Sequence, residues 1–475
     1  MSPQPSLKSK VLKGSFYLTL RQLLASGFSL VSTLVIARML GPESYGIVSA
    51  ALGIFYFLRW TSRFGLGAYL VRKPDFTPKD AEQILAFYNT CGVLLCLGIA
   101  LAAPLFGWWV GRHEITKILW VLTPAIWLDM VSIVSSSLLN RALRFDQISL
   151  VEAIAQTANY ILSVILVLSY HSYWGPICGT LLQFLIAAIL ARRFYPVHWT
   201  FRWQRHYMKP AIAYGFSYNC SNWLFNLRSL TVPLFVGRLV GIEAVGIINI
   251  AVRMVAQLML LRGVLKRMSI SVMAKLTNDK PATRRALTKG MMYQALMMGL
   301  VCSGFASCAS WLIPTVFGDK WLLSAQMFPL IGIATLVGAI FDLHTAVLYA
   351  VDRNHVVSWS NLAYIALLWP SCLLLTPIFG VWGYAISEIL ALPTYYLVHR
   401  AISKQFGSPE YHLVFGFVLA SIPPCLASIW FPLSINFGVF LLSYGILFLI
   451  SSGARKLLLE LWAIIAGRFT KKQVA

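Results

Sequence analysis

The sequence predicts an all-α polytopic membrane protein of about 14 transmembrane helices, with two six-helix lobes related by a parallel repeat plus a C-terminal helix pair. Three observations predict it. Hydrophobic residues make up 58% of the 475 and charged residues only 12%, too little charge for soluble domains of this total length. Apolar runs of roughly 20 residues, the length that crosses a bilayer, recur from end to end. A thirteen-residue segment returns 200 positions later with the same expected sidedness. The runs are continuously apolar rather than alternating, so they read as helices and not as barrel strands.

Taken in order, Lys8, Lys10 and Lys13 precede an apolar run too long for a signal-peptide core, which is therefore expected to be retained as the first span. Hydropathy places spans at 14–37, 46–70, 83–110, 118–140, 148–169 and 173–192, then at 211–237, 246–268, 288–316, 325–350, 356–376 and 380–398. A final pair covers 411–430 and 434–452, followed by a basic tail with Trp462 that is expected to lie along the interface. The domain division is an N-terminal lobe at 1–192, a basic cytoplasmic linker at 193–209, a C-terminal lobe at 210–405 and the extra helix pair with its tail at 406–475.

The 39 Lys and Arg against 16 Asp and Glu leave a formal charge of +23. With the N-terminus inside, and with Arg192, Lys266, Arg267 and Lys289 at the inner span ends counted with the inner segments, 28 of the basic residues are inner, five are outer (Arg38, Arg112, Lys117, Arg238, Lys320) and six lie deeper within spans. That bias predicts cytoplasmic N- and C-termini. Most of the excess thus reflects topology and an anionic inner leaflet, and no nucleic-acid partner is expected. No outer connection is long enough to fold as a domain, which argues against a glycan polymerase or ligase. The eight cysteines lie in apolar runs without CxxC spacing and read as small hydrophobes. Histidines are scattered singly and no Gly-rich phosphate loop is present, so neither a metal, a cofactor nor ATP-driven chemistry by this chain is expected.

The repeat sets VIARMLGPESYGI (35–47) against FVGRLVGIEAVGI (235–247), with Arg38/Arg238, Gly41/Gly241, Glu43/Glu243, Gly46/Gly246 and Ile47/Ile247 in register. Five identities in thirteen exceed the roughly one that background composition gives. Six spans separate the copies, so both face the same side and the halves are parallel, a plan found in transporters that expose one cavity to alternate sides. PLFGWW (104–109) echoes PTVFGDKW (314–321), and Arg144 echoes Arg353.

With ARMLGPESYG after the first span, GRLVGIEAVGIINIAVRM in the second lobe, FGDKW before the tenth span and RALRFDQISLVE after the fourth, the chain resembles the polysaccharide-flippase (Wzx-type) branch of the multidrug/oligosaccharidyl-lipid/polysaccharide exporter superfamily. The resemblance covers about residues 10–405 and rests on the order and spacing of these segments. It implies translocation of an undecaprenyl-diphosphate-linked oligosaccharide from the inner to the outer leaflet of the bacterial cytoplasmic membrane, for O-antigen, capsule or exopolysaccharide synthesis. It also implies polysaccharide polymerase and chain-length proteins as partners. The seventh span, FNLRSLTVPLFVGR, departs from the pattern: Arg228 stands near where many members carry an acid. A lipid II flippase resembles the same outline. A multidrug or cation exporter of the same superfamily would share the fold, but organic cations favour an acidic cavity.

Away from the span ends, where Arg192 and Arg267 stand, six arginines fall within spans: Arg21, Arg59, Arg63, Arg228, Arg253 and Arg262. Each would cost about 3 kcal/mol at the centre of a lipid-facing helix, so they must line a wet cavity, pair or snorkel. Arg59 and Arg63 lie one turn apart and share a face. Arg262 continues into Lys266 and Arg267 and reads as snorkelling. Arg59, Arg63, Arg228, Arg21 and Arg253 are the candidate diphosphate ligands, because guanidinium stays charged and donates bidentately to phosphate oxygens. Besides Glu152 at the inner end of the fifth span, three acids lie within spans, Asp129, Asp342 and Glu388. Two roles are open to them: pairing with the arginines, or proton or sodium coupling.

Overall fold

The computed structural model describes residues 7–259 and 279–465; side chains are described from Ala25 onward within those ranges, apart from 217, 218, 220, 221, 461, 464 and 465. Among the described residues every regular element is helical, and ten helices are long and apolar enough to cross a membrane. The backbone forms two units, Met1–Gly246 and Ile247–Ala475.

In the first unit, α1 (Leu7–Ser62) carries the first expected span and the second only as far as Ser62, with a break at the non-helical Gly41 (φ 71°, ψ 175°) followed by Pro42; the expected 46–70 run is divided by a turn at 63–65. After Phe64 and Gly65, both with positive φ, come α2 (Leu66–Arg72), α3 (Pro78–Val110), α4 (His113–Arg141), α5 (Phe145–Tyr170), α6 (Trp174–Phe194) and α7 (Arg205–Leu227). At the start of α3 the Asp80 carboxylate accepts from the Thr77 N–H at 2.8 Å and from Lys73 Nζ at 2.7 Å, and that bond raises the Lys73 ammonium above its usual range. Along α3, Leu94, Leu97, Leu101, Leu105 and Trp108 recur at helical spacing and are exposed, the stripe expected to face acyl chains.

In the second unit, α8 (Ile242–Leu258) enters from the first unit, and α9 (Lys280–Phe317), α10 (Leu322–Ala350) and α11 (Asn354–Phe379) follow. Short helices α12 (Val381–Leu390) and α13 (Tyr396–Phe406) come next, then α14 (His412–Trp430), α15 (Leu433–Ile450) and α16 (Ser452–Ile465).

Two of the expected spans from the seventh onward are not single membrane-length helices. The 211–237 run ends α7 at Leu227 and passes through a 3-10 turn (Arg228–Leu230) and a π turn (Val232–Val236) that contains Pro233, whose ring and missing N–H interrupt the α ladder. The 380–398 run divides at a 3-10 turn (Leu392–Tyr395) that contains Pro393. The 246–268 run is helical to Leu258, and its remainder, with Arg262, lies outside the described residues. By contrast α4 continues through Pro124.

The repeat has a structural counterpart. A Cβ on Gly46 would lie 2.0 Å from the Ile242 carbonyl oxygen, and one on Gly246 would lie 2.2 Å from the Pro42 carbonyl oxygen. The two copies therefore touch through equivalent residues in a reciprocal, two-fold-like contact that only glycine permits. Helix ends also match in pairs: Leu143 and Asp352 both adopt positive φ, and the next N–H, of Arg144 or Arg353, bonds at 2.9 Å to the carbonyl five residues back. This is the Schellman closure, and it places Arg144 and Arg353 at equivalent positions after the two helices.

Candidate functional site

The carboxylate of Asp129, carried on α4 and buried, is met by both arginines of the α1 pair. Arg63 approaches side-on, Nε to Oδ2 and Nη2 to Oδ1, each at 2.7 Å. Arg59 adds a single longer contact, Nη1 to Oδ1 at 3.3 Å. Arg59 stands in the last turn of α1 and Arg63 in the turn that follows it, so their convergence is local to the end of that helix; the docking of α1 on α4 supplies the acid. Side-chain exposure is 14% for Arg59, 20% for Arg63 and 5% for Asp129.

Aromatic rings complete the cradle. The Arg59 guanidinium sits 5.1 Å from the Phe184 ring and 5.3 Å from that of Tyr56, and Arg63 lies 4.8 Å from Trp60, distances at which ring faces stabilise a cation. The Tyr88 hydroxyl donates to the Arg63 carbonyl oxygen, one of those released where the helix ends. The turn at Phe64 and Gly65 is pressed against α7, since a Cβ on Gly65 would stand 2.5 Å from the Gly215 carbonyl oxygen. A cavity of about 320 Å³ opens beside it, lined by Trp60, Arg63, Arg72, Ser137, Asn140 and Asn219 among others.

Chemically, two permanent cations share one anion. Arg59 Nε is buried without a hydrogen-bond partner, and Arg63 reaches both Asp129 and the cavity wall. The triad holds a net positive charge and more N–H donors than Asp129 alone can accept.

The other candidate residues are placed separately. Arg228 is half-buried on the 3-10 turn after α7 and is engaged by neighbours. Arg253 is half-buried on α8 in the second unit and is likewise engaged. Arg21 lies on α1 outside the residues whose side chains are described. Asp342 is buried on α10. Counted back from the matched turns at 143 and 352, Asp342 corresponds to position 133 of the first half rather than to Asp129. Glu388 is buried on α12 and accepts from the hydroxyls of Tyr364 at 2.6 Å and Tyr384 at 2.8 Å.

Some polar groups escaped the sequence reading. Tyr384 lies four residues before Glu388, a helical spacing that could have flagged it. Tyr411 bridges His344 Nε2 and His399 Nδ1, each at 2.7 Å; no local signal joins histidines 55 positions apart. Among the described residues no group of three His, Cys, Asp or Glu could hold a metal ion.

Residues 35–326 match the profile of a family described as polysaccharide biosynthesis proteins. The chain is 20% identical over 403 residues to the teichuronic acid biosynthesis protein TuaB of Bacillus subtilis (strain 168), covering 84% of this chain and 81% of that one. It is 19% identical over 447 residues to the lipopolysaccharide biosynthesis protein WzxC of Escherichia coli (strain K12), covering 93% and 88%. Its fold matches the lipid II flippase MurJ in an inward closed conformation, with a TM-score of 0.68 at 15% identity over 91% of this chain and 98% of that one.

Proposed function

Because the chain belongs to the polysaccharide biosynthesis protein family, we propose that it is a flippase. Its cargo is an undecaprenyl-diphosphate-linked oligosaccharide, moved from the inner to the outer leaflet by alternating access. The observation that carries this reading is the buried cation pair Arg59 and Arg63 on one carboxylate, beside a cavity that Arg63 lines. A diphosphate offers the acceptors that Asp129 cannot. Arg63 can transfer its fork from carboxylate to phosphate with its geometry kept, since guanidinium matches both anions bidentately. Asp129 then keeps the pair in place between substrates, and its proton affinity changes whenever Arg63 leaves it, which is the route by which an ion gradient could couple to the cycle.

In the same reading, residues 1–192 and 210–405 are the repeated functional halves, 193–209 joins them, and 406–475 is an addition. The chain is a multi-pass membrane protein. We place it in the bacterial inner membrane with both termini cytoplasmic, working with polymerase and chain-length proteins. An excess of intramembrane arginine over acid favours an anionic cargo over an organic cation. The test is glycan export in cells whose own flippase is deleted. Wild type restores surface glycan; Arg63→Ala and Arg59→Ala/Arg63→Ala, inserted at wild-type level, do not. Normal export by the double variant would remove the site. Rescue of a strain lacking its lipid II flippase, with no glycan export, would reassign the cargo.

A further inference from the structure

A second cationic cavity lies wholly within the second unit, far in sequence from the arginine pair. It measures about 420 Å³ and is formed where the start of α9, the 407–411 turn, the start of α14 and α16 meet. Four cations border it, Arg284, Arg285, Lys289 and Lys456, against two acids, Glu410 and Glu460. Of the two acids, Glu460 is committed. Glu460 accepts from Tyr293 at 2.6 Å and pairs with Lys289 at 3.3 Å, contacts that hold its carboxyl below the usual range. Neither Arg284 nor Arg285 forms an ion pair with any described residue. Arg284 lies over the positive-φ Gly407, where a Cβ would come within 3.4 Å of Nη1.

Besides Thr288 and Gly453, the remainder of the lining is apolar: Met292, Leu413 and Leu457. The wall on that side is α16, which starts directly after the last membrane-length helix, Leu433–Ile450. This helix buries Ala454 and Leu457 against the unit while exposing Leu458, Leu459 and Trp462 beside the exposed cations Arg455 and Lys456. An exposed apolar face flanked by basic residues is how a helix lies in a membrane surface. The cavity therefore sits at headgroup depth, with cations for a phosphate and an apolar floor for the glycerol and first methylenes. A free phosphate would use only the former.

We propose that this cavity binds the headgroup of an anionic phospholipid, which clamps α16 to the start of α9. The site is separate from the arginine pair at the end of α1 and would stand even if the flippase reading failed.

The full-length chain in neutral detergent is titrated with phosphatidylglycerol, phosphatidylcholine or inorganic phosphate, and the first bound molecule is quantified by native mass spectrometry. Phosphatidylglycerol is expected to bind saturably and to be displaced by neither of the others. Arg284→Gln/Arg285→Gln is expected to weaken it roughly 25-fold, about fivefold per lost cation, and Arg284→Lys/Arg285→Lys to restore most of it. Arg455→Gln, on the same helix but outside the cavity, leaves it unchanged. Should the double variant melt early, Lys456→Gln, at an exposed position, is read instead and is expected to lose about fivefold. Unchanged phosphatidylglycerol affinity in a folded variant overturns the site. Equal binding of phosphatidylcholine, or displacement by inorganic phosphate, overturns its assignment to an anionic lipid.

Discussion

Replacing Asp129 with alanine tests the cation pair most sharply. The substitution removes all three contacts at once and leaves Arg59 and Arg63, four residues apart and mostly buried, without the carboxylate that they share. Breaking a buried pair by removing one partner costs about 3–5 kcal/mol, and here one anion serves two cations, so the upper part of that range applies. Arg59→Ala should cost only about 1 kcal/mol, since it removes one contact at 3.3 Å and leaves the bidentate pair intact. Arg63→Ala should fall between them, because Asp129 keeps Arg59 at that longer distance. Replacing all three by apolar residues of similar volume should recover much of the loss, because no charge is then left unpaired. The assay is thermal unfolding of detergent-purified protein followed by intrinsic fluorescence, with a double-mutant cycle across Arg63 and Asp129. If Asp129→Ala melts with wild type, or no lower than Arg59→Ala, the reasoning about a shared buried anion is refuted.

Gly46→Ala and Gly246→Ala each drive a methyl to within 2.2 Å of a backbone carbonyl oxygen of the other repeat copy. Neither backbone can yield cheaply, so each should cost about 3 kcal/mol or more, read as loss of monodisperse protein; normal yield would show that the copies do not touch there. Glu388→Gln keeps an accepting oxygen for one of the Tyr364 and Tyr384 hydroxyls and donates its NH2 to the other, and should melt within about 1 kcal/mol of wild type, whereas Glu388→Leu strands both hydroxyls and should cost about 2–3 kcal/mol. Transport by Glu388→Gln under an imposed proton gradient separates the two roles of this acid: normal rates leave only the structural one. Glu460 has a depressed pKa in the folded protein, because it accepts from Tyr293 and pairs with Lys289. Its contribution to docking α16 is therefore complete above its ordinary value of 4.5 and is lost as pH falls through the lower folded value. Hydrogen exchange in 452–460, corrected for intrinsic rate, should rise below that pH in wild type and much less in Glu460→Gln.

What was legible in the sequence was what depends on neighbours along the chain. Membrane-length apolar runs became helices because a run of that kind has no other way to satisfy its backbone in lipid. The proximity of Arg59 and Arg63 follows from their spacing along the chain alone. That Asp129 holds both depends on how α1 docks against α4, across 66 and 70 positions, and pairing remained one of two open roles until the helices were placed. The thirteen-residue repeat was visible because its glycines are kept by a backbone contact. The equivalent turns at Leu143 and Asp352 were not, because the closure needs a left-handed backbone rather than a particular side chain. The 380–398 run misled because hydropathy sums residues without regard to Pro393, which ends the α ladder there.

The measurement that bears most directly on the central claim is leaflet exchange of a fluorescent undecaprenyl-diphosphate-linked oligosaccharide in proteoliposomes, scored by the fraction that external reductant can quench. Wild type should expose the inner-leaflet pool with time, Arg59→Lys/Arg63→Lys should do so slowly, and Arg59→Ala/Arg63→Ala should do so no faster than empty vesicles. Exchange by the alanine pair at the wild-type rate, in folded and correctly inserted protein, would contradict the role given to these arginines.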